Sequence, residues 1–308
     1  MKSFLLICIP FIFSCSIIST TSTLPERVAL SRSDGSTIDF YMKFDSAKTL
    51  LLYLQGSDCN SVLHDRFLQD HIEKLWPSAD VLLVEKRGIT ADLPPSFDAA
   101  RSGCPQEYIQ HDNPEQRVTD LKKALNSVQQ KYAYQKVIAL GGSEGAQIAA
   151  MIAAESDLID AAVLINAGGR YFLDDVLHNI RLTTPEDILE EEIAGFSEFA
   201  KQIVMGDFFE LEVSNHGYKW WRNMLTYDMQ NTLTSIRIPT LIIQAGQDKS
   251  VSAENATAMV ENLKASGKSN LDFVVYPDLD HGLINTDGIS KAEQVVEDIH
   301  HWLKLHIK

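Results

Sequence analysis

The chain has 308 residues, of which 45% are hydrophobic and 22% charged, and its 27 Lys and Arg stand against 42 Asp and Glu for a net charge of −15 at pH 7. That length suits one large α/β domain or two small ones. A surface so acidic argues against nucleic acid or other polyanions as partners.

The N-terminus, MKSFLLICIPFIFSCS, has one basic residue, Lys2, and then an apolar run over 4–13. The run is too short to span a bilayer and fits the apolar core of an export signal, taken here as 1–22. Ile12-Phe13-Ser14-Cys15 resembles a bacterial lipobox, which makes Cys15 a lipidation candidate. Phe13 departs from that pattern, so ordinary cleavage a few residues later is the other route. The expectation is an exported, bacterial-type protein: periplasmic, secreted or lipid-anchored, and meeting a membrane only through such an anchor. Cys8 and Cys15 belong to the leader, which leaves Cys59 and Cys104. In an oxidising compartment that pair is expected to form a disulfide.

Residues 26–44 read as two short strands joined by the turn Ser33-Asp34-Gly35-Ser36, an edge hairpin half exposed to solvent. A wholly apolar strand over 49–54 should be central, and it runs into the small polar loop Gln55-Gly56-Ser57-Asp58-Cys59-Asn60. A helix is expected over 61–76, then a buried strand over 81–84. With Pro94, Pro95, Gly103 and Pro105, residues 91–112 read as a long surface loop. Pro114 opens a helix whose stripe is Val118, Leu121, Leu125 and Val128. Strands over 137–140 and 161–165 follow, separated by an Ala-rich helix. Strands alternating with helices indicate a parallel sheet covered on both faces.

From 170 to 235 the alternation stops. Helical patterns, the acidic run Glu190-Glu191-Glu192 and the aromatics Tyr218, Trp220, Trp221 and Tyr227 suggest an inserted helical cap. Most of those aromatics should pack inward, with one or so lining a substrate cavity. The sheet resumes over 239–244 and 271–276, with a helix over 253–265 between them and a closing helix over 290–305. The expected division is a core of 25–169 and 236–308 with the cap 170–235 inserted.

Between the strand at 137–140 and the Ala-rich helix lies Gly141-Gly142-Ser143-Glu144-Gly145. Such a G-x-S-x-G turn holds a serine on a strained bend with its hydroxyl clear of the sheet. Side chains two residues either side of the serine would collide with the neighbouring strand and helix. Two later loops also begin where a strand ends. The first, IIQAGQDKSV, carries Asp248, and the second, YPDLDHGL, carries His281. Together with the earlier loop YLQGSDCN, these pieces make the chain resemble the α/β-hydrolase superfamily over nearly all of its length after residue 25. The order serine, acid, histidine is the one found there.

The resemblance implies an α/β-hydrolase fold and a serine hydrolase acting on an ester or amide. Ser143 would be the nucleophile, His281 the general base and acid, and Asp248 the carboxylate that orients the ring. Asp278 and Asp280 are rivals by proximity, as are Asp174 and Asp175 by the habit of some family members. The oxyanion would be held by the backbone N–H of Glu144 and, by resemblance, that of Ser57, with Gln55 standing where many relatives have histidine. The Glu144 carboxylate has three readings: to repel anions, to hold a substrate amine, or to be solvated or paired nearby. The substrate is a small-molecule ester or amide, or a peptide, with an esterase ahead of a peptidase. An acyltransferase on the same residues and a non-catalytic binding protein are the alternatives. The remaining histidines have no ligand spacing, and no dinucleotide, P-loop or zinc motif is present, so no cofactor and no metal is expected.

Overall fold

The structure, a computed structural model, describes residues 25–45, 47–77, 79–96 and 103–307. The leader 1–22 and Cys15 lie outside the described residues. In chain order the elements are β1 (Glu26–Ser31), β2 (Thr37–Lys43), β3 (Thr49–Leu54), a single 3-10 turn (Val62–His64), α1 (Arg66–Leu75) and β4 (Asp80–Val84). Next come α2 (Gln106–His111), α3 (Pro114–Tyr132), β5 (Lys136–Gly142), α4 (Glu144–Glu155) and β6 (Ala161–Ile165). The chain continues through α5 (Phe172–Thr183), α6 (Leu189–Met205), α7 (Tyr218–Thr226) and α8 (Met229–Ser235). It ends with β7 (Thr240–Ala245), α9 (Ala253–Ala265), β8 (Leu271–Tyr276) and α10 (Ala292–His306).

The strands form one sheet in the order β1-β2-β4-β3-β5-β6-β7-β8. Only β1 with β2 and β2 with β4 are antiparallel; β4 through β8 run parallel. This is the α/β-hydrolase fold. Successive side chains of a strand point to opposite faces, and the core divides accordingly. Leu50, Leu52, Leu54, Val137 and Ala139 pack with α3, α4, α8 and α9, while Leu51, Tyr53, Ile138 and Leu140 pack with α1 and α10. Because both faces are covered, β3, β5, β6 and β7 are apolar almost throughout. Their carboxyl ends all reach the same edge, where loops after parallel strands gather ligands and chemistry.

Three expectations need correction. The hairpin is not half exposed: Ile38 to Met42 are all buried, because β2 pairs with β4 and lies inside the sheet, and only β1 forms the edge. The helix over 61–76 is interrupted. Asp65, extended at ψ 121°, caps α1 by accepting from the Leu68 N–H at 3.0 Å, and the preceding turn is 3-10. The stretch 91–112 is not wholly loop, because α2 forms inside it and buries Tyr108 and Ile109. Proline density hid six residues whose apolar pair packs with the disulfide.

Between β6 and β7, the helices α5, α6 and α7 build a small core of their own from Ile203, Tyr218, Trp220, Trp221 and Met224, with Phe172 against it. In contrast, α8 contributes Met229 and Leu233 to the main core.

Candidate active site

Ser143 stands between β5 and α4 with φ 54° and ψ −126°, a strained backbone for a residue with a side chain. The flanking glycines explain how the bend closes. A Cβ on Gly141 would overlap the Gly145 carbonyl, and one on Gly145 would overlap the Leu54 carbonyl at the end of β3. The Ser143 N–H donates to the Ile165 carbonyl at 2.9 Å, which fastens the bend to β6.

The loop after β7 carries Asp248, whose side chain is fully buried. Its Oδ2 lies 2.7 Å from His281 Nδ1, and its Oδ1 accepts from the N–H groups of Ser250 at 2.8 Å and Val251 at 3.0 Å. A carboxylate held this way fixes which ring nitrogen it engages and leaves Nε2 as the one available to Ser143. Ser143 and His281 line one cavity. No hydrogen bond joins the two in this resting arrangement, as is common before substrate tightens a site. Asn166, at φ 53°, bridges the loops: its Nδ2 donates to the His281 carbonyl at 3.0 Å and its Oδ1 accepts from the Ala245 N–H at 2.8 Å.

The rival carboxylates are engaged elsewhere or face solvent. Asp280 accepts from the N–H groups of Gly282 and Ile284 within its own loop, and Asp278 is exposed. Asp174 is exposed in the first turn of α5. Asp175 is buried, with Oδ1 accepting from the Ser252 N–H at 2.8 Å and Oδ2 from the Gly169 N–H at 3.0 Å. Burial pushes its carboxyl up to about 6 despite those two donors.

The Glu144 N–H opens α4, and Ser57 lines the cavity opposite it. The strap carrying Ser57 runs beside the serine: a Cβ on Gly56 would make an ordinary contact with the Ser143 Cβ at 3.6 Å. Both residues expected to supply oxyanion donors thus line the cavity with the serine, Glu144 at the positive end of a 12-residue helix.

The Glu144 carboxylate is paired. Oε1 accepts from Arg117 Nη1 at 2.6 Å and Oε2 from Trp220 Nε1 at 2.9 Å. Burial raises its pKa, but Arg117, then Lys86 and His216, outweigh that and hold it below the ordinary carboxylate value. Each of its oxygens thus already has a donor from the protein. The disulfide Cys59–Cys104 forms, with Cα atoms 5.9 Å apart, and ties the strap after β3 to the segment entering α2.

The cavity has a volume of about 360 Å³. Its apolar wall comes from Phe172, Trp220, Met224, Tyr227, Met229 and Val251, so the cap supplies Trp220 and Tyr227 while Tyr218 and Trp221 pack inside the cap. Ser143 and His281 also line a second cavity of about 230 Å³, walled by Tyr53, Phe67, Leu140, Ile165 and Leu283. Among the described residues no group of three or more His, Cys, Asp or Glu side chains could hold a metal ion, and no helix is long and apolar enough to cross a membrane.

Sequence reasoning missed Asn166, Lys86, Tyr108, Arg117 and His216. His216 stacks on Trp220 with ring centroids 3.7 Å apart, and burial depresses its pKa to about 4. Arg117 directly precedes Val118 of the apolar stripe, and its burial appears only in the fold.

Residues 121–285 match the family model described as "BAAT / Acyl-CoA thioester hydrolase C terminal". No curated protein matches the chain. Among solved structures, an esterase of Pyrococcus furiosus superposes with a TM-score of 0.63 at 15% identity, covering 92% of each chain. Est1E from Butyrivibrio proteoclasticus gives 0.59 at 15% identity, covering 91% of this chain and 98% of its own. An acylaminoacyl peptidase of Pyrococcus horikoshii gives 0.61 at 14% identity over 92% of this chain and 42% of its own. At such identities the likeness is one of fold.

Proposed function

Because the chain belongs to the BAAT/acyl-CoA thioester hydrolase C-terminal family, within the α/β-hydrolase superfamily, we propose that it hydrolyses a carboxylic ester, oxygen or thio, through an acyl-enzyme on Ser143. The observation that carries the reading is the strained Ser143 at one cavity with a His281 whose Nδ1 is held by a buried Asp248. The Ser143 hydroxyl attacks the carbonyl while His281 Nε2 takes its proton. Asp248 stabilises the imidazolium that forms. The Glu144 and Ser57 N–H groups receive the oxyanion. As the tetrahedral adduct collapses, the imidazolium returns the proton to the leaving alcohol or thiol. Water then repeats the sequence against the acyl-enzyme and frees the acid.

Paired polar groups support an uncharged acyl group over an aminoacyl one. Both oxygens of Glu144 and both of Asp175 are occupied, and Arg170 at the cavity rim pairs with Asp228 at 2.7 Å. A substrate ammonium would have to compete with donors already held on each of these carboxylates. This ranks an esterase ahead of an aminopeptidase. The test is labelling with a fluorophosphonate probe beside a screen of chromogenic acyl esters, acyl thioesters and aminoacyl amides. Labelling is expected in the folded protein and absent in Ser143→Ala. Equal labelling of the two proteins, or turnover of aminoacyl amides alone, would overturn the reading.

We also propose export. The apolar run over 4–13 and the Cys59–Cys104 bridge support it. The mass of the chain recovered from bacterial fractions should lack the leader; a full-length, reduced cytoplasmic chain would end that proposal.

A further inference from the structure

Four successive main-chain carbonyls of the strap after β3 each accept a hydrogen bond from a side chain distant in sequence. Gln55 O accepts from Arg117 Nη2 at 2.8 Å, Gly56 O from Lys86 Nζ at 2.5 Å, Ser57 O from the Tyr108 hydroxyl at 2.9 Å, and Asp58 O from Lys86 Nζ again. Lys86 comes directly after the exit of β4. Its neighbour Glu85 takes hold of the next part of the same strap, accepting from the Ser61 hydroxyl and from the Val62 N–H at 3.0 Å. The tail of β4 therefore grips the strap at two places.

Lys86 is the costly member of the group. It is only 3% exposed, and both of its hydrogen-bond partners are uncharged carbonyls. Taking an ammonium out of water costs several kcal/mol unless its surroundings compensate. Here burial and Arg117 weigh against the ammonium, the carboxylates of Asp58, Glu144 and Asp112 favour it, and the Tyr108 ring lies 5.8 Å from Nζ. An apolar side chain would avoid that cost but leave the Gly56 and Asp58 carbonyls without their donor, so the ammonium is tied to the strap itself.

Peptide geometry gives that hold a direction. In a trans peptide the C=O and the N–H of the same plane point in opposite directions. The Gly56 carbonyl and the Ser57 N–H share one plane. An ammonium that holds the carbonyl on the buried side therefore turns the N–H to the other side, where Ser57 lines the cavity with Ser143. A cation on a carbonyl oxygen also polarises its amide and makes the N–H a stronger donor.

We propose that Lys86 is the positioning residue of the oxyanion hole, its buried ammonium orienting and polarising the Ser57 peptide toward the anion that forms on the substrate. The proposal rests on the Ser143 hydrolase reading. Lys86 transfers no proton and touches no reacting atom.

Lys86→Met keeps an unbranched stem one atom shorter and removes both charge and donor. Loss of a fixed oxyanion donor costs 10²–10³ in kcat, so a misdirected one should cost about 30- to 100-fold, with KM moving less than about threefold. Affinity for a trifluoromethyl ketone, which forms a tetrahedral oxyanion on the serine, should fall in step with kcat. Lys86→Gln keeps a neutral amide donor and should lie between; it is the deciding variant if the methionine protein does not fold. A folded variant with unchanged kcat, or with its loss confined to KM or to thermal stability, overturns the proposal. Failure of the underlying reading looks different, since wild-type protein would then take no fluorophosphonate label at Ser143.

Discussion

The two flanks of Ser143 are held by different physics. On the histidine side, Asp248 receives two main-chain N–H groups of its own loop, and Asn166 joins the His281 carbonyl to β7. One carboxylate is desolvated there and local donors satisfy it. On the oxyanion side, Lys86, Arg117, Glu144 and Asp112 are buried together, drawn from the tail of β4, α3, α4 and the turn after α2. In the proposed reaction the ring would exchange protons, and its flank is anchored mainly by neutral groups and leaves His281 about a third exposed. The flank that would present fixed dipoles is braced by charges, which suits donors that should not reorganise.

The largest expected effect breaks the histidine side. Asp248→Asn should lower ester turnover by about 10⁴-fold with the fold intact, because the ring loses the acceptor that sets its tautomer. A near-normal rate in a protein with an unchanged circular dichroism spectrum would move the role to another carboxylate. Next comes the brace on the other flank. Arg117→Met leaves the Glu144 carboxylate and the Gln55 carbonyl without their donor, and removing one partner of a buried pair costs about 3–5 kcal/mol. Urea unfolding should show that loss; a change under about 1 kcal/mol would mean that Trp220 and Lys86 suffice to hold Glu144.

This contrast also decides what could be read from sequence. Ser143, Asp248 and His281 could be singled out because each lies in a short motif at the end of an apolar strand, while the Cys59–Cys104 bridge followed from the two cysteines that remain outside the leader. The helices of the cap were visible as periodicity, although the membership of α8 in the main core was not, since its few apolar residues look alike in either place. Lys86 reads as an ordinary charged residue leaving a strand. Its partner at Gly56 is 30 residues away, Arg117 reaches Glu144 across 27, and Trp220 reaches it across 76. No periodicity encodes such pairings, because they exist only once the sheet order brings β3, β4 and β5 side by side. The carboxylate of Glu144 is the clearest case: its sequence context left three readings open, and burial beside Arg117 leaves one.

A smaller effect sharpens the histidine side. Asn166 occupies the left-handed region, so Asn166→Gly keeps the backbone available while removing both bridging hydrogen bonds. His281 would then be oriented by Asp248 alone. A loss of about tenfold in kcat is expected, near 1.4 kcal/mol, with the pH dependence of turnover unchanged in shape. An unaltered rate would show that Asp248 by itself fixes the ring.

The smallest effect concerns the charges of the other flank, and its sign can be worked out. Asp112 is fully buried, and neither of its carboxyl oxygens has a hydrogen-bond partner. Burial raises its pKa from 3.8 to about 7, against the pull of Arg117. Between those values the folded state holds a proton that the unfolded chain has released, so this group makes stability fall as pH rises from about 4 to 7. Asp175, raised to about 6, acts in the same direction. His216, depressed to about 4, acts in the opposite one, because the unfolded chain gains a proton that the folded state refuses as pH drops below 6.5. Glu144, held low, adds to that opposition in more acidic solution. A wild-type pH curve therefore mixes signs, but the difference between wild type and Asp112→Asn isolates one group. The variant should match wild type near pH 4 and unfold at a higher temperature near pH 8. Each kcal/mol gained corresponds to about 2–4 °C in a domain of this size. If the two proteins instead run parallel across that range, Asp112 is ionised throughout, and the flank holds two buried carboxylates against its two cations.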